Sequence, residues 1–453
     1  MSSLFERSAN TLFFQIAQQI AAILVGIELA RALGPVGKGI TAYAMIALSL
    51  VTMFFNGQNE AIAYQFGRRR IGLAAVHRAM LHIFAYAAPL CMLGLIALTG
   101  LGPSQHVLIA TALALPFALY AQFATQFFLV IGRNQTANIQ ACLTIGVYAL
   151  VAIPLLLWAH LDTTGTLIVW VGSQMVGAVW AGIKLAPYLR GTRSYKRDAH
   201  DADGAELSLE HEAVLREQWI FLSKAGFSSF ASYLNLRIDV IIVSLMLGAA
   251  QLGLYTLAIA TGELMWKFTQ ALVWSALGRI ASETPERSAQ LVAKITRNLL
   301  AVQLTIGIVI FFLAPKLIIL VYGAQFAPSA NALRVLLPGM IAYTIEGSIG
   351  YYFSVQHANP TFRLVVQSLS IVLCATISVA TIRHFSIIGA AIATSTSYLC
   401  VVVIMSVLFL RTTKIPASEL FLLQRSDIER YRRLFQAGMQ LLRVTPDGQR
   451  ERD

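Results

Sequence analysis

The chain has 453 residues, of which 57% are hydrophobic and only 12% charged, and its mean hydropathy is +0.67. Soluble domains run near 25% charged residues, so this composition excludes a soluble globular protein and calls for an all-α polytopic membrane protein. The formal net charge of +12 does not mark a nucleic-acid binder, because the basic residues lie in short connections rather than on one face or in one tract.

The N-terminus (MSSLFERSANTLFF) lacks a basic run, a short apolar core and a small-residue cleavage site, so no cleaved signal peptide is expected. Apolar stretches then predict about twelve membrane helices. The first half holds 9–32, 40–64, 79–101, 107–131, 141–159 and 166–189. A polar linker at 191–217 follows. The second half holds 219–247, 254–277, 296–320, 331–355, 364–383 and 387–410. The expected division is a six-helix lobe over 1–190, the linker, a second six-helix lobe over 218–411 and a tail over 412–453.

Orientation follows from Lys and Arg. With the N-terminus in the cytoplasm, only Arg31, Lys38, Lys316, Arg334 and Arg383 fall outside, against roughly 25 inside. This bias predicts both termini in the cytoplasm.

The two halves echo each other. Leu33-Gly34, Gly39 and Tyr43 after the first helix correspond to Leu247-Gly248, Gly253 and Tyr255 after the seventh. Pro116 and Tyr120 correspond to Pro338 and Tyr343. Six helices separate the copies, so the repeat is parallel. Such repeats create a site between two lobes that opens to alternate sides when the lobes rock.

Four charges stand inside the seventh and eighth spans: Arg237, Asp239, Glu263 and Lys267. One charge at the centre of a membrane helix costs on the order of 2.5–3.5 kcal/mol even on the mild insertion scale. In a straight hairpin, Arg237 lies near the level of Glu263, and Lys267 is at i+4 from Glu263, a pairing distance. The four form either a clamp that only holds two helices together or a basic wall for an anionic group, to which the planar fork of Arg is suited.

Glu346 sits amid Tyr343, Tyr351 and Tyr352 in the tenth span, and Lys224 near the cytoplasmic end of the seventh. Gln15, Gln18 and Gln19 of the first span come level with Asn56, Gln58, Asn59 and Glu60 of the second. Amides in apolar helices glue helices together, and near one mouth of a cavity they also suit sugar hydroxyls. Glu28 and Arg31 are spaced as an interfacial i,i+3 pair. Pro89, Pro116, Pro154 and Pro338 fall within helices and favour kinks.

In the tail, Ser426 and Glu429 are spaced as a capping box. Ile428, Tyr431, Phe435, Met439 and Leu442 then recur at helical spacing beside Arg430, Arg432 and Arg433. This predicts a helix lying on the membrane surface or packed across the bundle.

Cys91, Cys142, Cys374 and Cys400 all fall in apolar segments without a CxxC pair, so neither a disulfide framework nor a metal site is expected. No phosphate-binding loop, HExxH or GxSxG is present, and no external loop is long enough for a catalytic domain. No catalytic residue and no cofactor are predicted.

The chain resembles the polysaccharide transporter (O-antigen flippase) family within the multidrug/oligosaccharidyl-lipid/polysaccharide exporter superfamily. The resemblance is carried by NTLFFQIAQQIAAILVGIELARALGPVGKG, YLNLRIDVIIVSLMLGAAQLGLYTLAIATGEL, VYGAQFAPSANALRVLLPG and IIGAAIATSTSYL, in that order. It implies two six-helix lobes around a central cavity in a bacterial inner membrane. It also implies export of an undecaprenyl-pyrophosphate-linked oligosaccharide by alternating access, with a proton or sodium ion as the candidate for coupling. Lipid-linked oligosaccharide, membrane lipids and the polysaccharide polymerase and chain-length machinery are the expected partners, and no nucleic acid is. The candidate cavity residues are Lys224, Arg237, Asp239, Glu263, Lys267, Glu346, Gln15, Gln19, Asn56 and Asn59. A drug exporter of the same superfamily is the first competing reading, although it would favour a more acidic cavity. A membrane-embedded glycan polymerase or ligase is the second.

Overall fold

The computed structural model describes residues 2–67, 71, 73–99, 105–190, 206–356, 360–425, 427, 429, 432 and 436. Side chains at 2–12, 67, 95–99, 105–106, 108, 206–211, 267–279, 281–282, 354–356 and 360–363 lie outside that description. The described residues form helices and no strand.

In chain order these are α1 (Ser2–Phe54), α2 (Asn56–Gly67), α3 (Leu73–Thr99), α4 (Gln105–Val130), α5 (Asn134–Trp158) and α6 (Thr163–Leu189). Then come α7 (Glu206–Phe221), a π-turn (Leu222–Gly226), α8 (Phe227–Asn235), α9 (Ile238–Ser282) and α10 (Pro285–Tyr322). A 3-10 turn (Ala324–Phe326) leads to α11 (Ser329–Gln356), α12 (Pro360–Thr413) and α13 (Ala417–Phe421).

Among the described residues, eight helices are long and apolar enough to cross a membrane. Three of them run through a point of non-helical backbone: α1 at Gly34, α9 at Gly248 and α12 at Ser386. Those points fall between the first and second, seventh and eighth, and eleventh and twelfth expected spans. The tenth expected span lies in α11, which is long enough but falls outside the apolar set. Arg334, Glu346 and its run of hydroxyl-bearing residues dilute its hydropathy. Pro89, Pro116, Pro154 and Pro338 all sit inside continuous helices. The breaks therefore come at glycine and serine rather than at proline.

The outer faces are apolar. Leu150, Trp158, Tyr86, Leu90, Phe312 and Leu320 are all well exposed, which a membrane protein tolerates because lipid is the solvent for those faces.

The residue contacts divide the chain into two compact units. The first comprises 1–259, 314–333 and 367–394, and the second 260–313, 334–366 and 395–453.

Within the first unit, α1 packs chiefly on α5, and α4 on α6. Its core holds Tyr43, Phe55, Phe123, Phe127, Phe128, Tyr148, Tyr255 and Phe326. Gly34 (φ 65°, ψ −172°) and Gly248 (φ 77°, ψ −176°) share one backbone conformation at an offset of 214 residues. It belongs to a region that only glycine enters without strain. Five residues on, at the same offset, Gly39 and Gly253 meet. A methyl group on Gly39 would collide with the Ala249 carbonyl, and one on Gly253 with the Pro35 carbonyl. The sequence repeat is thus a repeat of backbone geometry, and its two copies cross at paired glycines.

Arg31 does not pair with Glu28. Its Nε and Nη2 donate to the carbonyls of Val321 (2.7 Å) and Leu320 (2.8 Å). The last carbonyls of a helix have no intrahelical partner and carry partial negative charge, so the end of α10 takes Arg31 in place of the half-buried Glu28 carboxylate.

The second unit is built around Ile280, Val292, Ile349, Tyr352, Phe353, Met405, Phe409 and Leu420. The tail joins it through a buried ion pair. Arg297 Nε donates to Asp427 Oδ2 (2.5 Å) and its Nη1 to the Glu419 carbonyl (3.1 Å). Burial pushes the Asp427 carboxyl up. The hydrogen bonds from Arg297, the Gln424 N–H and Asn298, with the Arg297 charge, outweigh that and hold it below the usual carboxylate range. Most of the predicted tail helix, including Ser426, Ile428 and Tyr431, lies outside the described residues.

Candidate functional site

The seventh expected span is the most irregular helix of the first unit. It runs through the π-turn at Leu222–Gly226, re-forms as α8, breaks again at Leu236–Arg237 and restarts as α9 before Gly248. Non-helical backbone at membrane depth is tolerated only where it is buried in protein or lines a water-filled cavity, and π-turns collect at functional sites. Three sequence-predicted residues fall on these irregularities. Lys224 is exposed in the π-turn, Arg237 is half-buried in the break, and Asp239 is in the first turn of α9.

Asp239 is buried in a cage of hydroxyls. Its Oδ1 accepts the Val240 N–H (2.8 Å), and its Oδ2 accepts both the Tyr255 hydroxyl (2.6 Å) and the Thr394 hydroxyl (2.7 Å). The two hydroxyl oxygens lie 3.0 Å apart. Each spends its single proton on the carboxylate, so three oxygens form a tight triangle. Cys374 Sγ, at 3.9 Å from Thr394 Oγ1 and 4.0 Å from Ser378 Oγ, completes the surroundings. Tyr255 lies just past the Gly248 break, and Thr394 lies past the Ser386 break of α12. Both breaks therefore serve to aim a hydroxyl at one carboxylate.

Arg237 lies beside this cage. Its guanidinium stands 5.5 Å from the Tyr233 ring centroid, and its Nη1 is 3.4 Å from the Leu236 carbonyl. Glu263 belongs to the second unit, and the side chain of Lys267 lies outside the described residues.

The amides on α2 find different neighbours from those expected. Asn56 Nδ2 donates to Ser229 Oγ of α8 (3.4 Å), and Asn59 Nδ2 to Asn56 Oδ1 (2.9 Å). Gln15 is exposed and Gln19 half-exposed on α1, whose N-terminal part is turned to α5, where Cys142 Sγ donates to the Phe14 carbonyl (3.3 Å). Asn56 reaches α8 because Gly57 and Gly226 cross without side chains. A Cβ on Gly57 would stand 2.5 Å from Gly226 N and from the Phe221 carbonyl. Deeper in α2, Gln65 and Gln218 are fully buried and bonded to each other (3.1 Å), with Gln65 also reaching the Val214 carbonyl (3.0 Å).

In the second unit, Glu346 is buried on α11. Tyr343, one turn before it, stacks on Tyr398 at 4.3 Å between centroids, and Trp266 lies 5.5 Å and 6.0 Å from these two rings. Trp266 Nε1 donates to the Met340 carbonyl (2.8 Å). Glu263 is one turn before Trp266, so both carboxylates share a helix face with a member of this aromatic cluster. The sequence reading missed Trp266, Tyr398, Tyr255 and Thr394. The only signal was Tyr255 as a member of the repeat, since hydroxyls and aromatic rings are ordinary in apolar helices.

Comparison with known proteins agrees with the resemblance read from the sequence. Residues 208–331 match the family model described as Polysaccharide biosynthesis protein. The chain is 25% identical over 178 residues to the probable low-salt glycan biosynthesis flippase Agl15 of Haloferax volcanii. That match spans 38% of this chain and 37% of the relative's length. The fold is similar to that of a solved structure described as the lipid II flippase MurJ in an inward closed conformation, with a TM-score of 0.67 and 15% identity over 90% of this chain and 89% of that one. It is shared with an inward-facing multidrug resistance MATE transporter of the MOP superfamily, with a TM-score of 0.60 and 14% identity over 88% and 94% of the two chains.

Proposed function

We propose that this chain is a flippase that moves a polyprenyl-pyrophosphate-linked oligosaccharide from the cytoplasmic to the periplasmic leaflet by alternating access, without chemical change. The observation that carries the reading is the twice-broken span from Trp219 to Leu247, with Lys224, Arg237 and Asp239 at its irregular points. A purely structural helix gains nothing from such breaks. On this reading the chain crosses a bacterial inner membrane twelve times, with both termini cytoplasmic and two six-helix lobes around a cavity. Lys224, Arg237 and Lys267 offset the pyrophosphate charge while the polyprenyl tail stays in lipid. Aromatic faces such as Trp266 and Tyr343, with Glu263, Glu346, Asn56 and Asn59, supply the apolar and hydrogen-bonding chemistry that sugars need. Asp239 is the carboxylate we assign to coupling, because taking up a proton, or pairing with a sodium ion that draws the two hydroxyl oxygens apart, would compensate its buried charge. The polymerase and chain-length machinery would receive the exported units.

The test is reconstitution into liposomes carrying a fluorescent polyprenyl-pyrophosphate oligosaccharide, with leaflet exposure read by quenching from outside. Wild-type protein is expected to translocate it. Arg237→Ala and Lys267→Ala are each expected to lose at least about tenfold of the rate, since one charge-assisted hydrogen bond contributes roughly 1.5–3 kcal/mol. Exchanging Glu263 and Lys267 separates a clamp from a binding wall, because a clamp survives the exchange. Transport of cationic drugs with no flipping of the lipid-linked glycan would replace the proposal with the exporter reading.

A further inference from the structure

A second basic site lies away from the broken span, where the ends of α4, α5 and α6 meet. It is a cavity of about 200 Å³, below the roughly 300–1,000 Å³ of pockets that take drug-sized ligands. It is lined by Phe128 of α4, Trp180 and Tyr188 of α6, and Thr136 and Ile139 of α5. Two cations complete it, Arg133 and Lys184, and no acidic residue lines it. The Arg133 guanidinium stands 6.0 Å from the Tyr188 ring centroid, and Lys184 Nζ stands 5.8 Å from that of Trp180. Among the described residues neither cation has an ion pair or a side-chain hydrogen bond. Both side chains are exposed, and their ring contacts leave the charges unneutralised.

Two further features point to an anion. Arg133 is the N-cap of the 25-residue helix α5 and makes no side-chain cap bond, so the first N–H groups of α5 keep their donors beside the cavity. Thr136 adds a hydroxyl in that same turn. The depth points to a lipid. Lys184 is five residues before the end of α6, roughly 7–8 Å along the axis, which is headgroup depth if the helix end marks the membrane surface. Above it α6 presents Ile183, Val179 and Val176 as exposed apolar side chains.

We propose that this cavity binds the phosphate of an anionic membrane lipid between Arg133 and Lys184, with the acyl chain along the exposed face of α6. Basic pockets between membrane helices at the headgroup level bind such lipids. The inference does not depend on which substrate is flipped.

The test uses the full-length protein in detergent and native mass spectrometry with added phosphatidylglycerol or phosphatidylcholine. Wild-type protein is expected to retain one phosphatidylglycerol more tightly than phosphatidylcholine. Arg133→Gln combined with Lys184→Gln is expected to weaken that binding by about tenfold or more, as removing two basic side chains that face an anionic headgroup implies. Arg133→Lys combined with Lys184→Arg restores most of it, and this also excludes misfolding as the cause. Inorganic phosphate at millimolar concentration is expected not to displace the lipid. Equal retention of phosphatidylglycerol by the Gln variant, equal retention of the two lipids, or full displacement by inorganic phosphate would each overturn the proposal.

Discussion

The hairpin turn at Gly34 and the one at Gly248 have the same backbone and different chemistry. Both glycines take the same positive-φ conformation, and both turns place a glycine five residues on at the same crossing. Each is followed by a fully buried tyrosine, Tyr43 or Tyr255. There the likeness ends. Tyr43 hydrogen-bonds with Ser244, a neutral partner, whereas Tyr255 donates to a buried carboxylate. The span before Gly248 is broken at Leu222–Gly226 and at Leu236–Arg237, whereas the span before Gly34 is continuous helix within α1. One backbone geometry therefore occurs twice, and the buried carboxylate lies beside only one of its copies. Backbone geometry is symmetric because the glycine crossing needs both partners small. The polar residues are free of that constraint, because nothing in the crossing depends on them.

The largest effect should come from breaking the symmetric part. Gly39→Ala and Gly253→Ala each place a methyl group on the backbone of the other copy, where no flexible side chain can yield. Overpacking of this kind typically costs about 1–3 kcal/mol and sometimes more. The two variants should lower the thermal midpoint of the purified protein by similar amounts. Because both act on one contact, the double variant should lose less than the sum of the two. Additive losses would show that the two glycines report on separate contacts.

The next effect should separate the two copies. Asp239→Ala leaves the Val240 N–H and the Tyr255 and Thr394 hydroxyls without their shared acceptor. Each unsatisfied buried group costs about 1–3 kcal/mol. Transport in the liposome assay should be lost as well. Ser244→Ala, the counterpart at Tyr43, removes a single neutral partner and should leave transport intact. Equal loss of transport in the two variants would mean that the copies share the chemistry as well as the scaffold.

Gly34→Ala and Gly248→Ala test the turns themselves. Each forces a side chain into a conformation that costs on the order of 1–3 kcal/mol outside glycine. Because the dihedrals match, the backbone strain should match, and Gly34→Ala should lose only slightly more, since its methyl group would stand 3.3 Å from Gln325 Oε1 while that of Gly248→Ala meets no described atom within 4 Å. A clear inequality would show that one turn relaxes into another conformation and that the repeat is only approximate.

The scaffold was legible in the sequence because its signals are compositional or positional. Apolar runs gave the all-helical, membrane-crossing character of the chain, and the ordered pairs Leu33-Gly34 and Leu247-Gly248 marked the two turns that share one backbone conformation. The charges were legible too, since Arg237 and Asp239 are energetic anomalies in an apolar run. What surrounds them was not. Thr394 lies 155 residues from Asp239, and no local pattern marks one threonine of α12 as a partner. The i,i+3 spacing of Glu28 and Arg31 suggested a pair, yet the bare carbonyls of Leu320 and Val321 claim Arg31 from 289 and 290 residues away. The π-turn at Leu222–Gly226 was also hidden, although Gly57 and Gly226 are the small residues that permit it. Local spacing predicts which groups can meet along one helix. It does not predict which helix end comes close enough to offer something better.

The smallest effect gives the finest discrimination between the copies. Tyr43→Phe and Tyr255→Phe each delete one hydroxyl and leave the ring packing unchanged. A neutral hydrogen bond contributes about 0.5–1.5 kcal/mol and one to a charged group about 1.5–3 kcal/mol. If Asp239 is ionised when transport begins, Tyr255→Phe should cost roughly twice as much stability as Tyr43→Phe at neutral pH. On lowering the pH until Asp239 protonates, its acceptor loses its charge, and the cost of Tyr255→Phe should fall toward that of Tyr43→Phe. The cost of Tyr43→Phe should not change over the same range, since no carboxylate faces it in the hydrogen bonds described. Thermal melts of the two variants and the wild type across the acid range check this directly. A constant difference across pH would mean that Asp239 keeps one protonation state throughout, which would remove it from the coupling step.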